Sequence, residues 1–254
     1  MRKVEQQSTH AGQQGANGPS PIAPSQHGER EASAALGGTA LRRDEQGLAL
    51  VGDGMVLRGD FSQLLPRIRK GRLSSELLVR AAKVRDCAEP WAIDATAGLG
   101  EDSFLLAAAG FRVSMYESDP TVAALVRDAL NRAQANPDLA DIACRMELFE
   151  EDSIEAMSHL GDTPDVIYLD PMFPERRKSA AVKKKFQLIH HLEAPCQNEG
   201  ALLAAAIFAG PRKVVVKRPA KGPHLAGVKP SHSLAGKAVR YDVIIPASIK
   251  VPLA

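Results

Sequence analysis

No apolar run in this 254-residue chain is long enough to cross a bilayer: the longest, 201–209, falls far short of the ~20 residues that a spanning helix needs. No apolar stretch follows Arg2 and Lys3, so no secretory signal is expected. Cysteine is scarce. Cys87, Cys144 and Cys196 stand far apart without C-x-x-C spacing, which excludes a disulfide framework or zinc ribbon and fits a reducing cytoplasm. His190, His191, His224 and His232 also lack metal-ligand spacing, so no metal is expected and all four are assigned to the surface. The first 40 residues contain no aromatic side chain to seed a core and no hydrophobic period. Rich in Gln, Gly, Ser, Pro and Ala, they are expected to be a disordered tail.

What is present is unevenly charged. The whole chain carries +2, but residues 1–85 carry +5, 86–170 carry −14 and 171–254 carry +11. A polyanion is repelled by the middle third and drawn to the flanks, which suggests a small-molecule half beside a nucleic-acid half.

The middle third opens on the stretch that organises the chain, W-A-I-D-A-T-A-G-L-G-E-D at 91–102. It reads as a short strand ending in Asp94, a loop in which Gly98 and Gly100 let the backbone approach a ligand, and a helix closed by Gly110. A second strand, 112–117, ends in Glu117 near the ~20-residue spacing at which such folds place a ribose-binding carboxylate, so Glu117 is assigned to ribose hydroxyls. Asp119-Pro120 then caps a helix whose Val122, Leu125, Val126 and Leu130 share one face. Together these make a βαβ unit.

A third strand at 145–149 leads to Asp152 and Ser153, where Asp152 caps the next helix and is also placed to meet an adenine. The fourth, 165–169, delivers Asp170-Pro171-Met172-Phe173-Pro174 at the carboxyl edge, where open α/β sheets bind ligands. An exocyclic amine is a poor nucleophile because its lone pair is delocalised into the ring. A carboxylate accepting its N–H bonds holds the nitrogen at a methyl donor and stabilises the positive charge it develops. Asp170 is the candidate acceptor, Pro171 fixes the loop, and Phe173 offers a face to an unstacked base. Arg176, Arg177, Lys178, Lys183, Lys184 and Lys185 follow before a helix at 186–192, opposing its dipole, and are therefore assigned to RNA phosphates. Arg67, Arg69, Lys70 and Arg72, with Lys217 and Arg218 after a strand at 213–216, complete the expected RNA-binding set.

Upstream, L-A-L-V and M-V-L around Gly52-Asp53-Gly54 predict a β-hairpin, and the second half of 67–85 predicts a helix capped by Ser74. The expected organisation is a tail at 1–40, a small α+β extension at 41–85 and an α/β domain at 86–254, in which 239–245 is a further strand.

The segments D-A-T-A-G-L-G-E-D, Y-L-D-P-M-F-P, K-S-A-x-V-K-K and V-V-V-K-R-P resemble the ribosomal small subunit methyltransferase J family, the 16S rRNA (guanine(1516)-N2)-methyltransferases, over roughly Leu48 to Ile245. The resemblance implies a class I methyltransferase fold, a Rossmann-like and mostly parallel sheet with helices on both faces. It further implies S-adenosylmethionine as methyl donor, 16S rRNA or the small ribosomal subunit as partner, and cytoplasmic rRNA maturation. By motif position the family's cofactor residues fall on Glu101, Asp102, Glu117, Ser118, Asp152, Ser153 and Asp170, joining Asp94, Gly98 and Gly100. Glu101 stands where relatives commonly have Arg, and Ser118 replaces a commonly larger polar residue.

Other classes share some of these features. A nicotinamide-dependent dehydrogenase uses the same first βαβ unit but leaves D-P-M-F-P unexplained. A noncatalytic RNA-binding protein explains the basic flanks but has no use for acids at strand ends. An N-methyltransferase acting on adenine or a protein amide shares the loop chemistry.

Overall fold

Three short strands come first. In the computed structural model, which describes residues 39–52, 54–171 and 198–248, β1 (Thr39–Asp44), β2 (Gly47–Gly52) and β3 (Met55–Leu57) form an antiparallel meander. Two 3-10 turns and the short helices α1 (Leu65–Ile68) and α2 (Leu77–Ala82) lead into the main sheet.

That sheet alternates strand and helix: β4 (Trp91–Asp94), α3 (Glu101–Ala108), β5 (Arg112–Tyr116), α4 (Pro120–Gln134), the single turn α5 (Ala140–Ala143), β6 (Met146–Phe149), α6 (Ser153–Ser158) and β7 (Val166–Leu169). After 172–197 come α7 (Glu199–Phe208), β8 (Lys213–Pro219), β9 (His232–Ala235) and β10 (Val239–Ile244). The strand order is β6-β5-β4-β7-β8-β10-β9, with β6 to β8 parallel and β10 antiparallel to both its neighbours. The chain runs outward from β4 through β5 to β6 and then returns to β7 on the other side of β4. The crevice beyond the ends of β4 and β7 is therefore the switch point at which such sheets bind ligands.

Parallel strands covered on both faces need apolar residues at every position, and β7 (V-I-Y-L) has them, each at most 1% exposed. Successive residues serve opposite layers. Ala92, Tyr168 and Val215 pack toward α2, α3 and α4, while Ile93, Ile167, Val214 and Val216 pack toward α6 and α7. The amphipathic stripe of α4 lies in the first layer, and Asp119 starts the helix by accepting from Thr121 N at 2.8 Å and Val122 N at 2.9 Å.

Several expectations change. The hairpin is a three-stranded meander, and its first strand takes in Thr39 and Ala40, which had been placed in the tail. The meander and the main sheet fall in one compact unit. Ser74 does not cap a helix: it lies in a 3-10 turn, and α2 begins after Glu76, whose carboxylate takes the Arg67 guanidinium at 2.9 and 2.8 Å. His224 is at the surface, its side chain 41% exposed, and its Nδ1 also stands 3.1 Å from the buried Asp242. Strand β9 escaped prediction because it is an exposed edge with no hydrophobic alternation.

One buried acid fixes the meander to the domain. Asp128 on α4 accepts from Leu48 N at 3.0 Å, Arg43 at 2.6 Å and Arg132 at 2.7 Å, and Arg132 also donates to Gly59 O. Desolvation pushes its carboxyl pKa up, and these donors more than offset that, leaving it below the ordinary value. Asp128→Ala strands the Leu48 N–H and two cations. It is expected to cost about 2–3 kcal/mol by urea unfolding and to open residues 39–57 to proteolysis before the main sheet; an unchanged midpoint would refute the assignment.

Candidate active site

The carboxyl ends of β4, β5, β6 and β7 open on a cavity of about 900 Å³. Its lining contains eight carboxylates, Asp94, Glu101, Asp102, Glu117, Asp119, Glu151, Asp152 and Asp170, against two cations, Arg67 and Lys217. Eight of the 18 acids of the middle third are thus gathered at one place. Such a cavity attracts a ligand carrying positive charge and repels phosphate.

The loop from β4 to α3 is held by its own acids. Asp94 is 1% exposed, and its carboxylate accepts from Ser103 Oγ at 2.6 Å and Thr96 N at 3.1 Å, tying the strand end to the helix. Burial pushes its pKa up to about 7, against those two donors and with further help from Asp102 and Asp170. Gly98 (φ +51°) lines the cavity, and a Cβ there would meet nothing within 4 Å. Gly100, by contrast, is not part of the cavity lining. Its φ of +74° starts α3, and a Cβ would sit 3.3 Å from the Phe61 ring, on the packed side of the loop. Phe61 in turn stacks on Phe104 at 5.0 Å.

Glu117 closes the loop from the neighbouring strand. Its two oxygens accept from Gly98 N at 3.1 Å and Asp119 N at 2.8 Å, and the Ser118 N–H also bonds this carboxylate. Burial raises its pKa, partly opposed by those N–H groups. Ser118 lines the same wall. Asp152 accepts from Ile154 N at 2.7 Å, capping α6 as expected, and it and Ser153 also line the cavity. Glu101 and Asp102 occupy the first turn of α3, where a dinucleotide fold would place a pyrophosphate. That placement argues against the dehydrogenase.

At the end of β7, the Asp170 N–H donates to Thr96 Oγ1 at 2.7 Å, so the strand end and the glycine loop hold each other. Asp170 and Pro171 line the cavity; Phe173, Arg176, Arg177, Lys178, Lys183, Lys184 and Lys185 lie outside the described residues. Asp102 accepts from Tyr168 Oη at 2.6 Å and from Lys217 Nζ at 2.6 Å, and Lys217 lies 2.8 Å from Asp170. Thr96, Tyr168 and Tyr241 were missed by the sequence reading, although Tyr168 sits within the Y-L-D-P motif that was singled out.

Two of the expected RNA contacts are corrected. Arg218 is 1% exposed and bonds Glu199 and Pro223 O within the fold, so no phosphate can reach it. Lys217 faces the cavity and is taken by the two carboxylates. Arg67 also lines the cavity, paired with Glu76, while Arg69, Lys70 and Arg72 are exposed beside it.

Comparison with known proteins agrees with this layout. The chain matches a family described as putative SAM-dependent methyltransferase over residues 38–246. A SAM-dependent methyltransferase of known structure from Neisseria gonorrhoeae is 35% identical, with a TM-score of 0.68 over 85% of this chain and 86% of its own. The protein is thus a class I S-adenosylmethionine-dependent methyltransferase, and S-adenosylmethionine is its cofactor. A relative from Neisseria meningitidis serogroup C (strain 053442), 43% identical over 80% of this chain and 82% of its own, is named Ribosomal RNA small subunit methyltransferase J. One from Stutzerimonas stutzeri (strain A1501) bears the same name at 47% identity over 67% of this chain and 66% of its own. The chain belongs to the ribosomal RNA small subunit methyltransferase J family. Among the described residues no helix is long and apolar enough to cross a membrane.

Asp94 gives the site a pH signature. Because its pKa is higher folded (about 7) than its ordinary value of 3.8, its contribution to stability is present at low pH and is lost as pH rises through about 7. At about 1.4 kcal/mol per pH unit the loss amounts to about 4 kcal/mol. Asp94→Asn, which still accepts from Thr96 and meets Ser103, is expected to remove this slope. Urea midpoints from pH 4 to pH 8 that fall in parallel for both proteins would exclude it.

Proposed function

We propose that the chain transfers the methyl group of S-adenosylmethionine to the exocyclic N2 amine of a guanine in 16S rRNA, at the position of guanine 1516, in the cytoplasm. The observation that carries this is Asp170, a carboxylate delivered by β7 to the switch point of an acidic cavity and followed by Pro171. The names of the relatives favour ribosomal RNA over a protein amide as substrate. The resemblance of Y-L-D-P-M-F-P to the guanine-N2 enzymes supplies the base.

The residues fit the donor. Glu117, held by backbone N–H groups at the end of β5, faces the ribose hydroxyls, Asp152 and Ser153 stand at the adenine end, and Gly98 leaves space for the ligand beside its backbone. Asp102, with Glu101 and Ser118 along the walls, serves the methionine end, where an ammonium and a sulfonium meet an excess of carboxylate. When bound, the cofactor supplies an electrophilic methyl carbon on a cationic sulfur. Asp170 accepts the N–H bonds of the incoming amine, aims its nitrogen and stabilises the charge that grows on it. Pro171 has no N–H to compete for that carboxylate.

Asp170→Ala is expected to lower methyl transfer to 16S rRNA by about 10²–10³-fold, with S-adenosylmethionine affinity by calorimetry changed much less. A variant as fast as wild type would overturn the acceptor role. Mass mapping of 16S rRNA from a deletion strain, with and without the gene restored, tests the position.

The exposed Arg69, Lys70 and Arg72 are proposed to hold RNA phosphates at the mouth of the cavity, beside Arg67. Replacing all three by Ala is expected to reduce the slope of log affinity against log salt by about 3. Binding to rRNA with an unaltered slope would remove them from the interface.

A further inference from the structure

Lys217 sits between two acids that belong to different elements. Its Nζ donates to Asp102 Oδ2, at the start of α3, at 2.6 Å and lies 2.8 Å from Asp170 Oδ2, at the end of β7. The Tyr168 hydroxyl donates to the same Asp102 oxygen at 2.6 Å. Among the described residues these bonds occupy one oxygen of each carboxylate and leave Oδ1 of both without a partner.

We propose, resting on the assignment of Asp170 to the target amine, that Lys217 is a positioning residue for methyl transfer. It holds Asp102 and Asp170 in one orientation with its ammonium between them, so that one remaining oxygen serves the donor's ammonium and the other the incoming amine.

The physical need follows from charge. Two carboxylates this close, without a cation between them, do not both stay ionised; the pair takes up a proton that belongs to both. A protonated carboxyl presents an O–H where the ligand also brings N–H, and the acceptor is lost. Burial already raises the pKa of Asp170, and the Lys217 charge is the largest influence opposing it. The other charged or titratable groups around the cluster are Asp94 from β4, Tyr168 from β7, Tyr241 from β10, Arg218 on β8, and the Arg67–Glu76 pair of the extension. Asp94 titrates near neutrality and feels the charges of Asp102 and Asp170, so the informative quantity is the difference between variants, including the one that restores the charge of the cluster.

The test is S-adenosylmethionine binding to the full chain by calorimetry between pH 6 and pH 9. Lys217→Met is expected to weaken binding at neutral pH by about tenfold to a hundredfold, one factor of ten for each pH unit by which the pair holds its proton above the assay pH. Binding recovers as pH rises. Lys217→Arg is expected to keep the wild-type profile. Lys217→Met with Asp102→Asn, which restores the net charge of the cluster, is expected to lose the added pH dependence. A Lys217→Met protein with the wild-type profile, or one weakened equally at every pH, would overturn the proposal. Should Lys217→Met fail to fold, the double variant decides: folding with the wild-type dependence on pH, at whatever affinity, supports the shared charge, and failing to fold refutes it. No arm involves RNA. A wild-type enzyme that binds the donor but leaves 16S rRNA unmethylated would therefore sink the substrate reading and leave this result standing.

Discussion

Crowded like charge is the constraint on which this structure depends. Eight carboxylates line one cavity, and the site exists only because their repulsion is met in several different ways. Glu117 is answered by three backbone N–H groups, and Asp119 and Asp152 are answered by the first turns of α4 and α6. Asp94 is buried with two donors and titrates near neutrality, while Asp102 and Asp170 divide one ammonium. Because most of these solutions are also helix caps or loop ties, the bonds that build the fold are the bonds that orient the site. Loosening one strand end disturbs both.

The strand-end acids were legible in the sequence because each is a local pattern: an apolar run, an acid, then a glycine or a helix start. What was not legible is who answers whom across the sheet. Thr96 holding Asp170, Tyr168 reaching Asp102, and Arg67 arriving at the cavity from the extension all depend on strand order, and separations of 74 and 66 residues leave no short-range trace. Lys217 and Arg218 are a different case, because a signal was there. Adjacent residues on a strand point to opposite faces, so reading V-V-V-K-R-P as one strand through Pro219 places the two cations in separate environments. Treating them as one basic patch ended the strand too early. Asp128 was hidden for another reason: an acid on an amphipathic helix reads as solvated until the meander covers it.

The extension also supports the site from behind. Phe61 lies against Gly100, and its stacking on Phe104 pins the start of α3 from behind. Such a pair is worth about 0.5–1.5 kcal/mol beyond the area it buries. The loop that carries Gly98 is therefore backed by an aromatic layer on one side and closed by Glu117 on the other. It does not have to be ordered by the donor when the donor binds, which lowers the entropy cost of binding.

An acidic cavity is a strange place to bring RNA unless only part of the RNA enters. Phosphates carry the charge that the eight carboxylates repel, whereas a nucleobase is neutral and presents an N–H-bearing amine that a carboxylate prefers. With charges screened over about 8 Å at physiological salt, a basic loop at the rim can hold the backbone while the carboxylates within select the base. The net charge of the chain conceals this arrangement; its distribution along the sequence does not. The acidic middle third supplies the strand tips, and Arg67, from the basic first third, reaches the edge of the cavity those tips enclose. Selection of a base over its phosphates then follows from the same crowding of carboxylates that shapes the fold.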